Sequence, residues 1–84
     1  MNYSVEFSSQ FEKSIKKLKQ KDKKLFEQIQ KKLIDIVKSP EHYKPLRNVL
    51  AGYRRIHFGP FVLIYKIDNN IIKVISLDNH DRAY

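Results

Sequence analysis

The stretch Gly52-Tyr53-Arg54-Arg55-Ile56-His57-Phe58-Gly59-Pro60-Phe61-Val62-Leu63-Ile64-Tyr65 predicts two β-strands joined by a tight turn at Gly59-Pro60. Side chains on a strand alternate between its two faces. The first strand therefore has two sets of side chains, Arg54, Ile56 and Phe58 on one face and Tyr53, Arg55 and His57 on the other. The second strand is apolar on both faces apart from Lys66, which is typical of a strand in the middle of a sheet. His57 is thus expected beside the cation of Arg55 on a rigid strand, which is a suitable place for a catalytic site.

The rest of the chain predicts one domain, residues 1–84, of the α+β class. A short strand alternates over Tyr3–Phe7, and Ser8 or Ser9 caps a first helix, where Ser9 and Glu12 have the spacing of a capping box. Asp22 is expected to cap a second helix, which ends before Pro40. Residues 40–51 are predicted to form a loop. The last strand is predicted from Ile71 to Leu77. The predicted order is β-α-α-β-β-β, an antiparallel sheet with a helical hairpin packed on one face and the other face open.

Composition points to a polyanion partner. The 84 residues carry a formal net charge of +8, and nucleic acid is the commonest partner of such a basic protein. Ten of the thirteen lysines precede residue 40, whereas all four arginines and all three histidines follow it. Arginine offers a planar fork suited to phosphate, so the second half is the better candidate for a specific site. A solvated basic surface without a specific partner is the alternative.

The absence of cysteine and of long apolar runs argues against two classes of protein: those held together by disulfides or thiolate zinc sites, and those that span a membrane. The chain has no cysteine, so neither disulfides nor thiolate zinc sites are available, and no metal or cofactor is predicted. No apolar run approaches the roughly 18 residues that span a bilayer. The N-terminus lacks the regions of a signal peptide, so a cytoplasmic protein without membrane contact is expected.

Four short motifs occur in a characteristic order: Tyr43-Lys44-Pro45-Leu46, Gly52-Tyr53-Arg54-Arg55-Ile56-His57, Leu63-Ile64-Tyr65-Lys66 and the terminal His80-Asp81-Arg82-Ala83-Tyr84. In this order the chain resembles the RelE/ParE toxin superfamily, and within it the YafQ-type branch. The resemblance covers nearly the whole chain, because the predicted β-α-α-β-β-β order also agrees.

The resemblance implies the toxin of a type II toxin–antitoxin system. Its partner would be a cognate antitoxin, acidic and encoded adjacently, in a hetero-oligomer. YafQ-like members are metal-independent endoribonucleases that cut mRNA on the ribosome and so inhibit translation. A base takes the proton of a ribose 2′-hydroxyl, that oxygen attacks phosphorus, and an acid protonates the leaving 5′-oxygen. Histidine suits both proton steps.

The resemblance also implies roles for individual residues. His80 matches a near-terminal histidine and is the candidate acid, and His57 is the candidate base or phosphate ligand. Tyr84 matches the terminal aromatic position. Substrate contacts are predicted for Phe61, which would stack on a base, and for Arg54 and Arg82. Strand alternation, however, places Arg55 rather than Arg54 beside His57, so Arg55 is the predicted catalytic cation.

Two departures from the branch leave alternatives open. Lys44 stands where the branch often has histidine; it can stabilise phosphate but is a poor base. The turn around Gly59-Pro60 is one residue shorter and lacks an acidic residue found in the branch. A ParE-like inhibitor of DNA gyrase with the same fold and no chemistry is therefore one alternative, and a non-catalytic RNA- or protein-binding module is another.

Overall fold

The computed structural model describes residues 3–42 and 52–79. Its elements follow the predicted order, with a short 3-10 helix at Pro40–His42 after the second helix. The main elements are β1 (Ser4–Phe7), α1 (Ser9–Lys21), α2 (Lys23–Lys38), β2 (Tyr53–Phe58), β3 (Phe61–Asp68) and β4 (Ile71–Asn79). The predicted fold class is confirmed. The last strand extends two residues beyond the predicted end at Leu77.

The four strands form one mixed sheet in the order β1-β4-β3-β2. β3 runs antiparallel to both of its neighbours, β2 and β4, as the short turns between them require. β1 is different, because it pairs in parallel with β4, with Phe7 beside Val74. The prediction of an antiparallel sheet is therefore wrong at this strand. The helices lie between β1 and β2 in the chain, so no tight turn determines the direction of β1.

Both hairpin turns use a left-handed residue. Gly59 has φ 54° and Asn69 has φ 57°. Glycine enters this region without the steric cost that a Cβ imposes, and asparagine tolerates it. Both positions agree with the turns predicted from the sequence.

Ser8 attaches the start of α1 to the sheet. The pairing of β3 with β4 shifts register between Ile64 and Tyr65, so that Ile75 has no partner on β3. The Ser8 hydroxyl donates to the Ile75 carbonyl and accepts a hydrogen bond of 3.0 Å from the Phe11 amide. Ser8 is thus the N-cap, and the predicted capping-box spacing from Ser9 is one residue too late.

The helices bury their apolar stripes on one face of the sheet. Ile29 and Ile36 of α2 have at most 1% of their surface exposed, and they belong to the same core cluster as Leu63, Tyr65 and Ile72 of the sheet. Asp22, the one residue between the helices, accepts a hydrogen bond of 3.1 Å from the Leu25 amide and caps α2 as predicted. The opposite face of the sheet, on which neither helix lies, is called the helix-free face below.

Tyr65 links the sheet to the segment after α2. Its ring is completely buried, and its hydroxyl donates to the carbonyl oxygen of Pro40. This contact holds the 3-10 helix near the middle of the sheet.

Candidate functional site

His57 and Arg55 occupy alternate positions on the edge strand β2, so their side chains lie on the same face of the sheet. The intervening Ile56 and the following Phe58 belong to the core beneath the helices. His57 and Arg55 therefore lie on the helix-free face, with His57 exposed and Arg55 half-buried. This confirms the face predicted for both residues.

The residues of β3 and β4 that lie beside His57 and Arg55 on the helix-free face are largely buried. His57 pairs with Val62, and Arg55 pairs with Ile64, which in turn pairs with Ser76. Val62 is completely buried although it lies outside the core cluster beneath the helices. Ser76 is only 7% exposed. An exposed imidazole and a guanidinium are thus held on one strand, β2, which is paired along its length with β3, rather than on a loop.

Two lysines extend the positive charge along the same face. Lys66 pairs with Tyr53 on one side and with Lys73 on the other. The Lys66 ammonium lies 5.3 Å from the centre of the Tyr53 ring, within the range of a cation–π contact. Lys73 Nζ lies 3.2 Å from an Asp68 carboxylate oxygen. With Arg55, these lysines form a row of cations that suits a phosphate backbone. The sequence could have identified Lys66, because alternation along β3 places it on the same face as its partner Tyr53, and so on the face of Arg55 and His57.

Arg54 lies on the other side of the strand. Its guanidinium donates a hydrogen bond of 3.3 Å to the Glu41 carbonyl in the 3-10 helix. As strand alternation predicts, Arg54 lies on the face opposite His57, and its contact with substrate stays a prediction.

Phe61 also lies on the helix side. It pairs with Phe58 and packs, partly buried, against the core cluster. The structure therefore does not bring Phe61 together with His57 and Arg55 on one face. The position of an aromatic after a turn says nothing about its face unless the strand register is known.

The remaining predicted site residues are Lys44, His80, Arg82 and Tyr84, and all four lie outside the described residues. The expected convergence of His57 with His80 on one face therefore stays a prediction. Within residues 3–42 and 52–79, no cluster of three histidine, aspartate or glutamate side chains is arranged to hold a metal ion. Over the same residues, neither helix is long and apolar enough to cross a membrane.

The comparison with known families covers nearly the whole chain. A family model described as the ParE toxin of the type II toxin–antitoxin system, parDE, matches residues 5–84. The chain belongs to this ParE toxin family. The resemblance to the RelE/ParE superfamily is therefore confirmed.

Individual relatives of this ParE-family protein agree with that assignment. A protein of Methanocaldococcus jannaschii whose name proposes it as toxin RelE4 is 38% identical over 85 residues, which is 98% of this chain and 90% of the relative. The YoeB dimer of Staphylococcus aureus has a TM-score of 0.80 and 28% identity, covering 95% of this chain and 99% of its own. YafQ in the Escherichia coli DinJ–YafQ toxin–antitoxin complex is similar in fold, with a TM-score of 0.81, 23% identity and coverage of 100% and 99%.

Proposed function

We propose that this ParE-family toxin is a ribosome-dependent endoribonuclease that cuts mRNA without a metal ion. The observation that carries the proposal is the placement of His57 and Arg55 on one face of a stiff edge strand, next to a row of cations. A proton-transfer group and a phosphate ligand are the two functions that cleavage by a 2′-hydroxyl requires.

In the proposed reaction, the imidazole of His57 takes the proton of the ribose 2′-hydroxyl or holds the phosphate. The 2′-oxygen bonds to phosphorus as the bond from phosphorus to the 5′-oxygen breaks. His80 gives a proton to the departing 5′-oxygen, which leaves a cyclic 2′,3′-phosphate and a free 5′-hydroxyl. Arg55 stabilises the negative charge that grows on the phosphate oxygens. Lys44 and Tyr84 are proposed to complete the site.

We also propose that a cognate antitoxin holds the toxin inactive in a hetero-oligomer. The support is family membership and the solved complexes of relatives, among them the heterotetrameric YoeB–YefM toxin–antitoxin complex of Staphylococcus aureus. An acidic antitoxin segment would complement the cations of the helix-free face, Arg55, Lys66 and Lys73.

The test is cell-free translation with the purified toxin, followed by primer extension on the mRNA. Wild-type protein is expected to produce discrete cuts. A variant combining His57→Ala with His80→Ala is expected to produce none, and His42→Ala is the matched control because His42 is exposed on the 3-10 helix, outside the helix-free face. Undiminished cutting by the double variant would contradict the assigned site.

The ParE description of the matching family favours a second candidate, an inhibitor of DNA gyrase. It predicts a different outcome in cells that express the toxin. DNA breaks would accompany growth arrest, mRNA would stay intact, and the double histidine variant would remain toxic.

A further inference from the structure

Tyr53 continues the helix-free face of β2 beyond Arg55. Tyr53, Arg55 and His57 occupy alternate positions of this strand, so their side chains lie on the same face. Each residue of a strand adds about 3.4 Å, so Tyr53 lies about 14 Å from His57 along β2. The Tyr53 ring is half-buried. The face therefore carries an aromatic ring at a fixed distance from the imidazole, and the cleavage reaction itself makes no use of this ring.

A cation already lies over the Tyr53 ring. Lys66 is the partner of Tyr53 on β3, and its ammonium lies 5.3 Å from the ring centre. A cation–π contact at a partly exposed site is weak, whereas a nucleic-acid base stacked on an aromatic ring contributes more. A base can therefore take the place of the ammonium, and the flexible Lys66 side chain can then turn to the phosphate of the same nucleotide. We call Tyr53 and Lys66 together the Tyr53 site.

The charges of the helix-free face favour a path for RNA along β2 rather than across the sheet. Lys73 Nζ lies 3.2 Å from an Asp68 carboxylate oxygen, and the partner of Lys73 on β1 is Glu6. These two carboxylates offset the charge of Lys73 and repel a phosphate near β1 and β4. Among the residues that the structure describes, the positive part of this face is therefore at β2 and β3, where Arg55 and Lys66 lie.

The spacing along β2 suits an extended single strand. Successive phosphates of such a strand are separated by a distance similar to that between alternate residues of a β-strand. With the cleaved phosphate held between His57 and Arg55, the Tyr53 ring lies beside a nucleotide about one or two steps away. A ring and a cation together are the two elements by which proteins bind single strands without reading their sequence.

We propose that the Tyr53 site binds one nucleotide of single-stranded RNA within about two nucleotides of the step cleaved at His57, with the base stacked on Tyr53 and the phosphate at Lys66. The relation to the cleaved step rests on the proposed function. The stacking and the phosphate contact do not, and both can be measured without cleavage.

The experiment measures fluorescence anisotropy of a labelled single-stranded RNA with purified toxin, over a range of salt concentrations. The background is His57→Gln, which keeps the RNA intact if the proposed function holds. Tyr53→Ile retains the preference for a strand and is expected to weaken binding roughly 5- to 150-fold, the contribution of one stacked base. Tyr53→Phe is the matched control, because it keeps the ring and should bind about as tightly as the background protein.

A strand of the same length built from stable abasic units separates stacking from charge. Tyr53→Ile should bind this strand as tightly as the background protein does, since no base is present to stack. Equal weakening of the abasic strand and of the RNA by Tyr53→Ile would overturn the proposal. Thermal unfolding checks that each variant is folded, and Lys66→Gln tests the same site if Tyr53→Ile is not.

Lys66→Gln is expected to lower the slope of log affinity against log salt by about 0.7, the value for one single-strand phosphate contact. Lys31→Gln removes the same charge from an exposed residue of α2 and should keep the slope of the background protein. Lys73→Gln should lower the slope less than Lys66→Gln, because Asp68 already offsets the charge of Lys73.

Four other results would also overturn the proposal: no measurable RNA binding, equal losses for Tyr53→Ile and Tyr53→Phe, equal salt slopes for Lys66→Gln and Lys31→Gln, or a larger change for Lys73→Gln than for Lys66→Gln, which would mean that RNA crosses the sheet. Failure of the proposed function looks different. In that case the RNA binds with the expected dependence on Tyr53, yet primer extension finds no cut mRNA.

Discussion

His57 lies directly across from Val62 on the neighbouring strand, and the two residues differ completely in exposure. The imidazole is exposed, whereas Val62 has no accessible surface. The backbone that carries His57 is thus anchored by a buried residue, while its side chain is exposed on the helix-free face. A site of this kind is expected to lose activity on mutation without losing stability.

Arg55 and Arg54 form a matched pair for testing which face reacts. We expect Arg55→Gln to reduce mRNA cleavage about 10²- to 10³-fold, as for the loss of one group that stabilises transition-state charge. Arg54→Gln should reduce it far less, because Arg54 donates to Glu41 on the helix side. Cleavage rates of both variants, measured by primer extension, show which arginine contributes to the reaction. Equal losses would mean that strand alternation does not determine the catalytic cation.

Ser8→Ala is expected to destabilise the protein by about 1–2 kcal/mol, since it removes the N-cap of α1. The variant also loses the hydrogen bond from Ser8 to the Ile75 carbonyl. Ser9→Ala is the control, because Ser9 is exposed and already inside the helix. Urea unfolding measures both free energies. A larger loss for Ser9→Ala would restore the predicted capping box.

Tyr65→Phe should destabilise the protein by about 1–3 kcal/mol, because the buried Pro40 carbonyl would lose its hydrogen-bond donor. Tyr53→Phe removes the same hydroxyl from a half-buried ring on β2 and is expected to have little effect. Urea midpoints of the two variants give the comparison. Similar midpoints would mean that the contact between Tyr65 and Pro40 contributes little.

Gly59→Ala should destabilise the hairpin by about 1–2 kcal/mol, the cost of a Cβ in the left-handed region. Nothing lies within 4 Å of the position that this Cβ would take, so the cost is due to the backbone alone. Gly59→Asn is expected to cost less, since asparagine tolerates this conformation. Thermal unfolding that ranks asparagine below alanine would contradict this explanation.

Much of the site could be read from the chain because strands obey a strict alternation. The sequence Arg54-Arg55-Ile56-His57 assigns each side chain to a face as soon as Ile56 is taken as core, and the structure agrees. The same rule puts Arg54 and Phe61 on the face opposite His57, and their contacts with substrate stay predictions. Their roles came from positions in a family pattern, which records order along the chain but not the face of the sheet.

Other features depend on contacts that no local pattern contains. The parallel pairing of β1 with β4 joins residues almost 70 positions apart, as in the hydrogen bond from Ser8 to Ile75 with its separation of 67. The bulge at Ile75 that receives Ser8 interrupts an otherwise regular apolar strand, so nothing in the sequence marks it. The row of Lys66 and Lys73 needs the register between β3 and β4.

The parallel pairing of β1 with β4 also has a consequence for the synthesis of the protein. Chains emerge from the ribosome with their N-terminus first, so β1 and both helices are made long before their partner strand. Ser4–Phe7 has no place in a sheet until Ile71–Val74 has been added. The helical hairpin can form early, but it has no sheet to cover. Folding of the sheet must therefore await Ile71–Val74, so a chain that stops before these residues cannot acquire the finished sheet.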